Sequence, residues 1–478
     1  MAQLIPRLLL AVLFLSPSLQ AGNIDLPSLG DSSSGLISME QEFTLGRTWL
    51  RNLRQQAKTI NDPVVTEYTE NLVYKLASHS EVKDRRFEIV ILDNPELNAF
   101  AVPGGVIGIN AGLFLNAENE DEFAAVLAHE LAHLSQRHFA RQVEESRKQA
   151  PLAMATLLGS ILLLATNNTE AGFAGLMTSQ AAATQSALSY SRDWEREADR
   201  IGMHTLVDSG FDPNGMPQMF QLMFASTKYS ERPPEFLSTH PVTEARIADA
   251  AARVDSLPKV TRNEDVEYAL VRTRLQRLYS KESHSKSHFE TLLVQATNVQ
   301  QKAVAKYGLA LTLMEESEYQ KAGQLARELK KNDNNRITYN LLLAEISLKQ
   351  EKISEAQEIL LEQISQNPDN LPITLAYCEV LMQQKKFLEA ESLLQRLTLN
   401  RKTNPDLWLR LADVEGKTGN TLGIHQARAE YFFLTGYKEK ALMQLKIAQK
   451  YAVNNYLMQA KLEQRAKEIA ASNDSLDF

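Results

Sequence analysis

The sequence predicts an α+β fold that is mostly helical: a first unit with a small β-sheet, then an α-solenoid of paired helices. Three observations carry that expectation. Short β-branched runs lie between Arg86 and Leu115, and stretches with helical apolar spacing flank them. Small residues then recur at one fixed step through the C-terminal half. At 478 residues the chain exceeds one ordinary core, so two or more domains are expected. We place a leader at 1–21, a first domain at 22–262 and a second at 263–478.

The first residues, "MAQLIPRLLLAVLFLSPSLQAGN", set Arg7 ahead of a short apolar run, Leu8 to Leu15, with Ser and Pro before Ala21. That is the layout of a secretory signal peptide cut near Ala21, and the run is too short to span a bilayer. "GRTWLRNLRQQ" and "VVTEYTENLVYKLASHS" read as helices, and "RFEIVILDN" as a strand. "AFAVPGGVIGINAGLFL" then suggests a hairpin about Pro103-Gly104-Gly105. The next helix starts well: Asn119 can cap it, and Glu122 completes a capping-box pattern ahead of "FAAVLAHELAHL".

The strongest apolar run beyond the leader, "PLAMATLLGSILLLAT" from Pro151 to Thr166, has 16 residues, short of a bilayer span. It reads as a buried or partly buried helix; a lid over a site, or a transient peripheral membrane contact through 151–166, are the other readings. "SYSRDWEREADRIGMHTLVDSGFDP" is a helix ending at Gly210, with Pro213 beyond it. "VDSLPKVTRNED" reads as the linker that puts a boundary near residue 262.

Past that linker, Ala310, Ala344, Cys378 and Ala412 are each 34 residues apart, and Ala322, Ala356 and Ala390 keep the same step 12 residues later. Small residues at both places let paired helices approach closely, and this step is the tetratricopeptide (TPR) period. Ala429 and Ala441 are again 12 apart, but Ala429 lies only 17 after Ala412. One helix is therefore expected to end one repeat and begin the next.

Composition narrows the chemistry. With 44% apolar and 23% charged residues the chain is of the soluble globular class, and a net charge of −8 argues against a nucleic-acid partner. Cys378 is the one cysteine, so no internal disulfide and no thiolate-rich metal site can form. Any metal must be held by His and carboxylates.

"AVLAHELAHLSQRH" offers such a site. On a helix, four residues turn about 400°, so His129 and His133 project from one face and can reach one ion. Glu130 lies about 100° from His129, able to touch a water on that ion without being a ligand. Zinc lowers the pKa of such a water and the Glu accepts its proton during attack on a carbonyl. A third protein ligand is needed. Of Glu195, Glu197 and Asp199, the first and last share a helix face, which favours Glu195 as ligand. Asp199 then accepts an imidazole N–H or gives a proton to the transition state, and Glu197 is expected to face solvent. His138 is expected to be solvated and not a ligand. Without the metal, the same residues read as half-buried histidines and a surface of charged pairs with Arg192, Arg196 and Arg200.

"HELAHLSQRH" followed about 60 residues later by "SRDWEREADRIG" resembles the zinc endopeptidases related to HtpX and the CAAX prenyl protease. Their HExxH plus ExxxD pattern is matched by His129, Glu130, His133, Glu195 and Asp199. "NAFAVPGGVIGINAGL" is similar to the family's strand beside the catalytic helix, which implies pairing of that edge with an extended substrate. An export signal, no convincing membrane-spanning helix and C-terminal TPRs resemble a periplasmic branch of the family. The resemblance implies one Zn2+, quality control of unfolded or stalled outer-membrane β-barrel proteins, and repeats that meet the barrel-assembly machinery. It further implies that 151–187 can plug the cleft and that His240, in "LSTHPVTEARIAD", can take an inhibitory fourth zinc position. The plain reading of His240 is a loop or helix-start residue. Arg246 is expected in a surface ion pair, with steadying of an oxyanion or carboxylate as the other reading.

The expectation is a zinc endopeptidase, with a chaperone-like activity as well. The alternative is a non-proteolytic TPR scaffold or chaperone with a silent zinc site; the intact Glu130 favours the enzyme, because a structural site needs no base. A zinc amidase or cell-wall hydrolase fits the second helix less well.

Overall fold

The computed structural model describes residues 37–145, 192–226, 235–260, 265–279 and 285–472, together with Gly159 and Leu162. The leader, and the plug expected of 151–187, lie outside the described residues except for those two positions. Of these, Leu162 is buried among Trp49, Phe100 and Phe139.

Helix α1 (Met39–Gln56) starts at a capping box in which Ser38 Oγ accepts from Gln41 N and Gln41 Oε1 accepts from Ser38 N. Helix α2 (Pro63–Ser78) follows Asp62, which caps it ahead of a proline whose missing N–H costs nothing there. The expected strand and hairpin form one sheet, β1 (Glu88–Leu92), β2 (Ala99–Val102) and β3 (Val106–Asn110), in the order β1-β3-β2. β1 runs parallel to β3 and β2 antiparallel to it. The turn between β2 and β3 is made possible by Gly104 and Gly105 at φ 79° and 78°. Phe100 lies opposite Gly108, whose missing side chain leaves room for the ring.

A short helix α3 (Ala111–Asn116) leads to α4 (Glu120–Ser135), the motif helix. Asn119 Oδ1 accepts from Glu122 N as expected, whereas Glu122 Oε2 reaches back one residue further, to Glu118 N. Then come α5 (His138–Glu145), α6 (Arg192–Asp208), α7 (Gly215–Ser226), α8 (Glu235–Thr239) and α9 (Glu244–Val254). Helices α6 and α7 both pack on α4, each through a glycine. A Cβ on Gly202 would lie 3.0 Å from the Ala128 carbonyl oxygen, and one on Gly215 would lie 2.4 Å from that of Asp121.

The remainder is helical: α10 (Val266–Tyr279), α11 (Lys286–Gln295), α12 (Val299–Glu315), α13 (Tyr319–Asn332), α14 (Ile337–Lys349), α15 (Ile353–Gln366) and α16 (Leu371–Gln383). It ends with α17 (Phe387–Asn400), α18 (Pro405–Thr418), α19 (Thr421–Leu434), α20 (Lys438–Tyr451) and α21 (Tyr456–Ala471). The small residues of both 34-step series are buried, one to each of the seven helices α12–α18. α19, with Ala429, packs on both α18 and α20, the shared helix that the shifted spacing predicts.

The repeats curve back onto the first unit. Tyr268 of α10 donates to the Ala117 carbonyl, and Arg274 pairs with the Asp62 cap at 2.7 Å. Further along, Arg401 pairs with Glu67 and Glu70 of α2, and Arg51 of α1 lies over the Phe433 ring. One apolar cluster runs without a break from α2 and α4 through α10 into α16. Between β1, α2 and the later repeats it leaves a cavity of about 630 Å³.

Candidate metal centre

His129 and His133 stand one turn apart on the face of α4 that Gly202 lets α6 approach. Across that contact Glu195 meets both rings: its oxygens lie 3.6 Å from His129 Nε2 and 3.5 Å from His133 Nε2. The two Nε2 atoms are 3.1 Å apart. His240, just beyond α8, closes the fourth side, with Nδ1 3.5 Å from His129 Nε2 and 3.0 Å from Glu195 Oε1. All four residues are buried, and one donor atom from each lies within 4.8 Å of the others.

These distances test the fit of an ion. Donor atoms about 2.1 Å from a tetrahedral zinc lie about 3.4 Å from one another; the contacts among these residues, taken over both Glu195 oxygens, run from 3.0 to 3.6 Å, and the whole four-atom set lies within 4.8 Å. Tautomers agree. Asp199 Oδ1 is 3.0 Å from His129 Nδ1, so that nitrogen carries the proton and Nε2 presents its lone pair inward. That lone pair faces a second imidazole nitrogen 3.1 Å away, a place that suits a cation between the two rings. A set of imidazoles and one carboxylate, with no thiolate, suits zinc.

Glu130 is 1% exposed, and its Oε1 has no hydrogen-bond partner among the described residues. Burial pushes its carboxyl above the usual range, against the pull of His240 and His129, while the Ala101 N–H of strand β2 donates to it. Burial opposes ionisation of Glu195 too, but there His240 and Arg246 win and hold the carboxyl below its ordinary value. Asp199 is likewise held low despite burial, by its bonds to His129 and Arg246. Burial, with His129 next, pushes His133 well down, whereas His240 is raised because Glu195 and Glu130 outweigh its burial.

Three expectations need correcting. Arg246 is not in a surface pair. It is buried at 6%, donates to both Asp199 oxygens at 2.7 Å and reaches Glu195 at 2.8 Å, because the Thr243 cap starts α9 against this cluster. His138 is not solvated: it is fully buried, its Nδ1 2.8 Å from His133 Nδ1. Glu197 does not simply face solvent, for it is half-buried and binds His138 Nε2 at 3.2 Å and Arg141 at 3.0 Å. Burial and its charged surroundings act on this pair as well: burial, against the pull of Glu197, pushes the His138 ring down to about 4. The sequence carries one faint signal of this, a third histidine five residues after His133.

The profile of peptidase family M48 matches residues 63–254, and that of a tetratricopeptide repeat matches 347–414. The β-barrel assembly-enhancing protease of Escherichia coli is 33% identical over 446 residues, which cover 93% of this chain and 91% of that protein. Its Yersinia pestis counterpart is 31% identical over 449 residues, 94% and 92% of the two chains. The mitochondrial metalloendopeptidase OMA1 of Schizosaccharomyces pombe is 30% identical over 182 residues, 38% of this chain and 51% of that one. Relatives matched along almost their whole length, on a donor set that fits the same ion, make this chain a zinc metalloendopeptidase that belongs to the M48 family of β-barrel assembly-enhancing proteases.

Proposed function

We propose that the chain is exported to the periplasm by its 1–21 leader and there cleaves unfolded or stalled outer-membrane β-barrel proteins. In this reading the repeats, from the boundary near 262 onwards, meet the barrel-assembly machinery and lend a chaperone-like hold on substrate. The names of the relatives and the repeats support it. No helix among the described residues is long and apolar enough to cross a membrane. A plug formed by 151–187, and a membrane contact through 151–166, belong to the same reading.

The observation that carries the mechanism is the convergence of His129, His133, Glu195 and His240 beside a buried Glu130 oxygen that makes no hydrogen bond among the described residues. His129, His133 and Glu195 would hold the zinc. When bound, it polarises the scissile carbonyl and acidifies the attacking water. Glu130 takes the proton from that water at Oε1 and passes it to the leaving nitrogen. Asp199 fixes the His129 ring, and Arg246 holds Asp199 and Glu195 in place. The β2 edge beside Glu130 aligns an extended peptide. His240 occupies the fourth place and lies 3.5 Å from Glu130 Oε1, so in this arrangement it covers both ion and base.

The test is zinc content with casein cleavage for the mature chain, Glu130→Gln and His240→Ala. Glu130→Gln should keep its zinc and lose turnover by about 10²- to 10⁴-fold, while His240→Ala should cleave faster. Unchanged turnover in the glutamine form rules out this mechanism; slower cleavage in the alanine form gives His240 a catalytic or structural role instead.

A further inference from the structure

His138 takes no part in that mechanism, yet it is buried directly behind a ligand. Two residues past the end of α4, Arg137 adopts φ 51°, a left-handed conformation that few non-glycine residues hold. Arg137 is pinned there by its bonds to Glu42 at 3.2 Å and to the Ile37 carbonyl at 2.7 Å. The reversal brings His138, first residue of α5, beneath His133. Its ring stacks on Trp194 with centroids 5.6 Å apart and planes at 10°, and Arg141 lies over the same indole.

The protons along this row are determined one from the next. Glu197 can only accept, so His138 Nε2, facing it at 3.2 Å, carries a proton. One proton lies between the two Nδ1 atoms at 2.8 Å. His138 is wholly buried and its Glu197 carboxylate is already paired with Arg141, so the ring is neutral; with its proton on Nε2 it has a lone pair on Nδ1, and the shared proton belongs to His133 Nδ1. His133 is then left with its lone pair on Nε2, the atom that faces His129 and Glu195. The opposite order would put a hydrogen where the ion must sit.

We propose that His138, fixed by Glu197 and Trp194, is a positioning residue that selects the metal-binding tautomer of His133 and holds its ring in place. His129 has a carboxylate behind it, Asp199; His133 has an imidazole, and a carboxylate behind that. The inference rests on the reading of His133 as a zinc ligand.

The test is zinc affinity of the full-length mature chain, stripped of metal and titrated with zinc against a chromophoric chelator. Asparagine can place an acceptor where Nδ1 stood, and leucine cannot. His138→Leu should bind zinc about 10- to 100-fold more weakly, with His138→Asn within about threefold of the parent. Glu197→Ala should fall between them, and it decides the matter if the leucine form does not fold. Parental affinity in the leucine and Glu197→Ala forms, or an equal loss in the leucine and asparagine forms, overturns the proposal. His133→Ala is the control: parental affinity there would unseat the ligand assignment itself rather than the role of His138.

Discussion

Arg246 enters the centre with a full charge and meets two buried carboxylates, each also bonded to a histidine. Its planar fork suits both oxygens of Asp199 at once. Removing it strands two buried anions, so Arg246→Met should cost about 3–5 kcal/mol in the metal-free chain. Arg246→Lys, which keeps the charge without the fork, should cost less; denaturant melts of both forms check this. Residues of this kind explain what could be read from the chain alone. His129, Glu130 and His133 lie within one helical turn, so their common face follows from spacing, as does that of Glu195 and Asp199. Arg246 sits 47 positions from Asp199, and His138 sits 59 from Glu197. Nothing local announces such pairs, so each residue read alone looked like surface.

At the level of helices, the site depends on how closely α6 lies against α4. Gly202→Ala would press a methyl onto the Ala128 carbonyl and the His129 amide. It should cost about 1–3 kcal/mol and weaken zinc binding as well, since Glu195 moves with α6; thermal melts and zinc titration read the two effects. A second helix contact makes stability depend on pH. Glu415 of α18 is buried with one oxygen unpartnered, and Gly423 of α19 makes room for its carboxylate. Burial, helped by the nearby Glu391, pushes this carboxyl from 4.5 up to about 7. A raised acid favours the fold fully below its unfolded value and loses that advantage as pH climbs to the folded one. Glu415→Gln should therefore match the parent near pH 4 and exceed it near pH 8 by about 1–2 kcal/mol, a figure reduced for partial solvent access. Urea melts at both values test this. The helices themselves were legible because small residues at a fixed step leave a periodic trace. Glu415 was not, because its neighbours come from helices on either side.

Across the whole molecule, the repeats return to touch the unit from which they spring. Arg401 of the repeats and Glu70 of α2 are 331 positions apart, and no period in the sequence implies that they meet. Arg401→Ala should cost about 2 kcal/mol and quicken limited proteolysis in α17 and α18, while zinc content stays at the parental level. Proteolysis at the parental rate would show that the return is held elsewhere, as by Arg274 with Asp62 or by Arg51 against Phe433. A row of repeats in which each touches only its neighbours bends like a cantilever, and load at its tip dissipates along its length. This row is built instead as an arch, with α2 under one side and α1 under the other. Both abutments pack on the sheet whose β2 edge borders Glu130, so the repeats and the metal centre share one foundation.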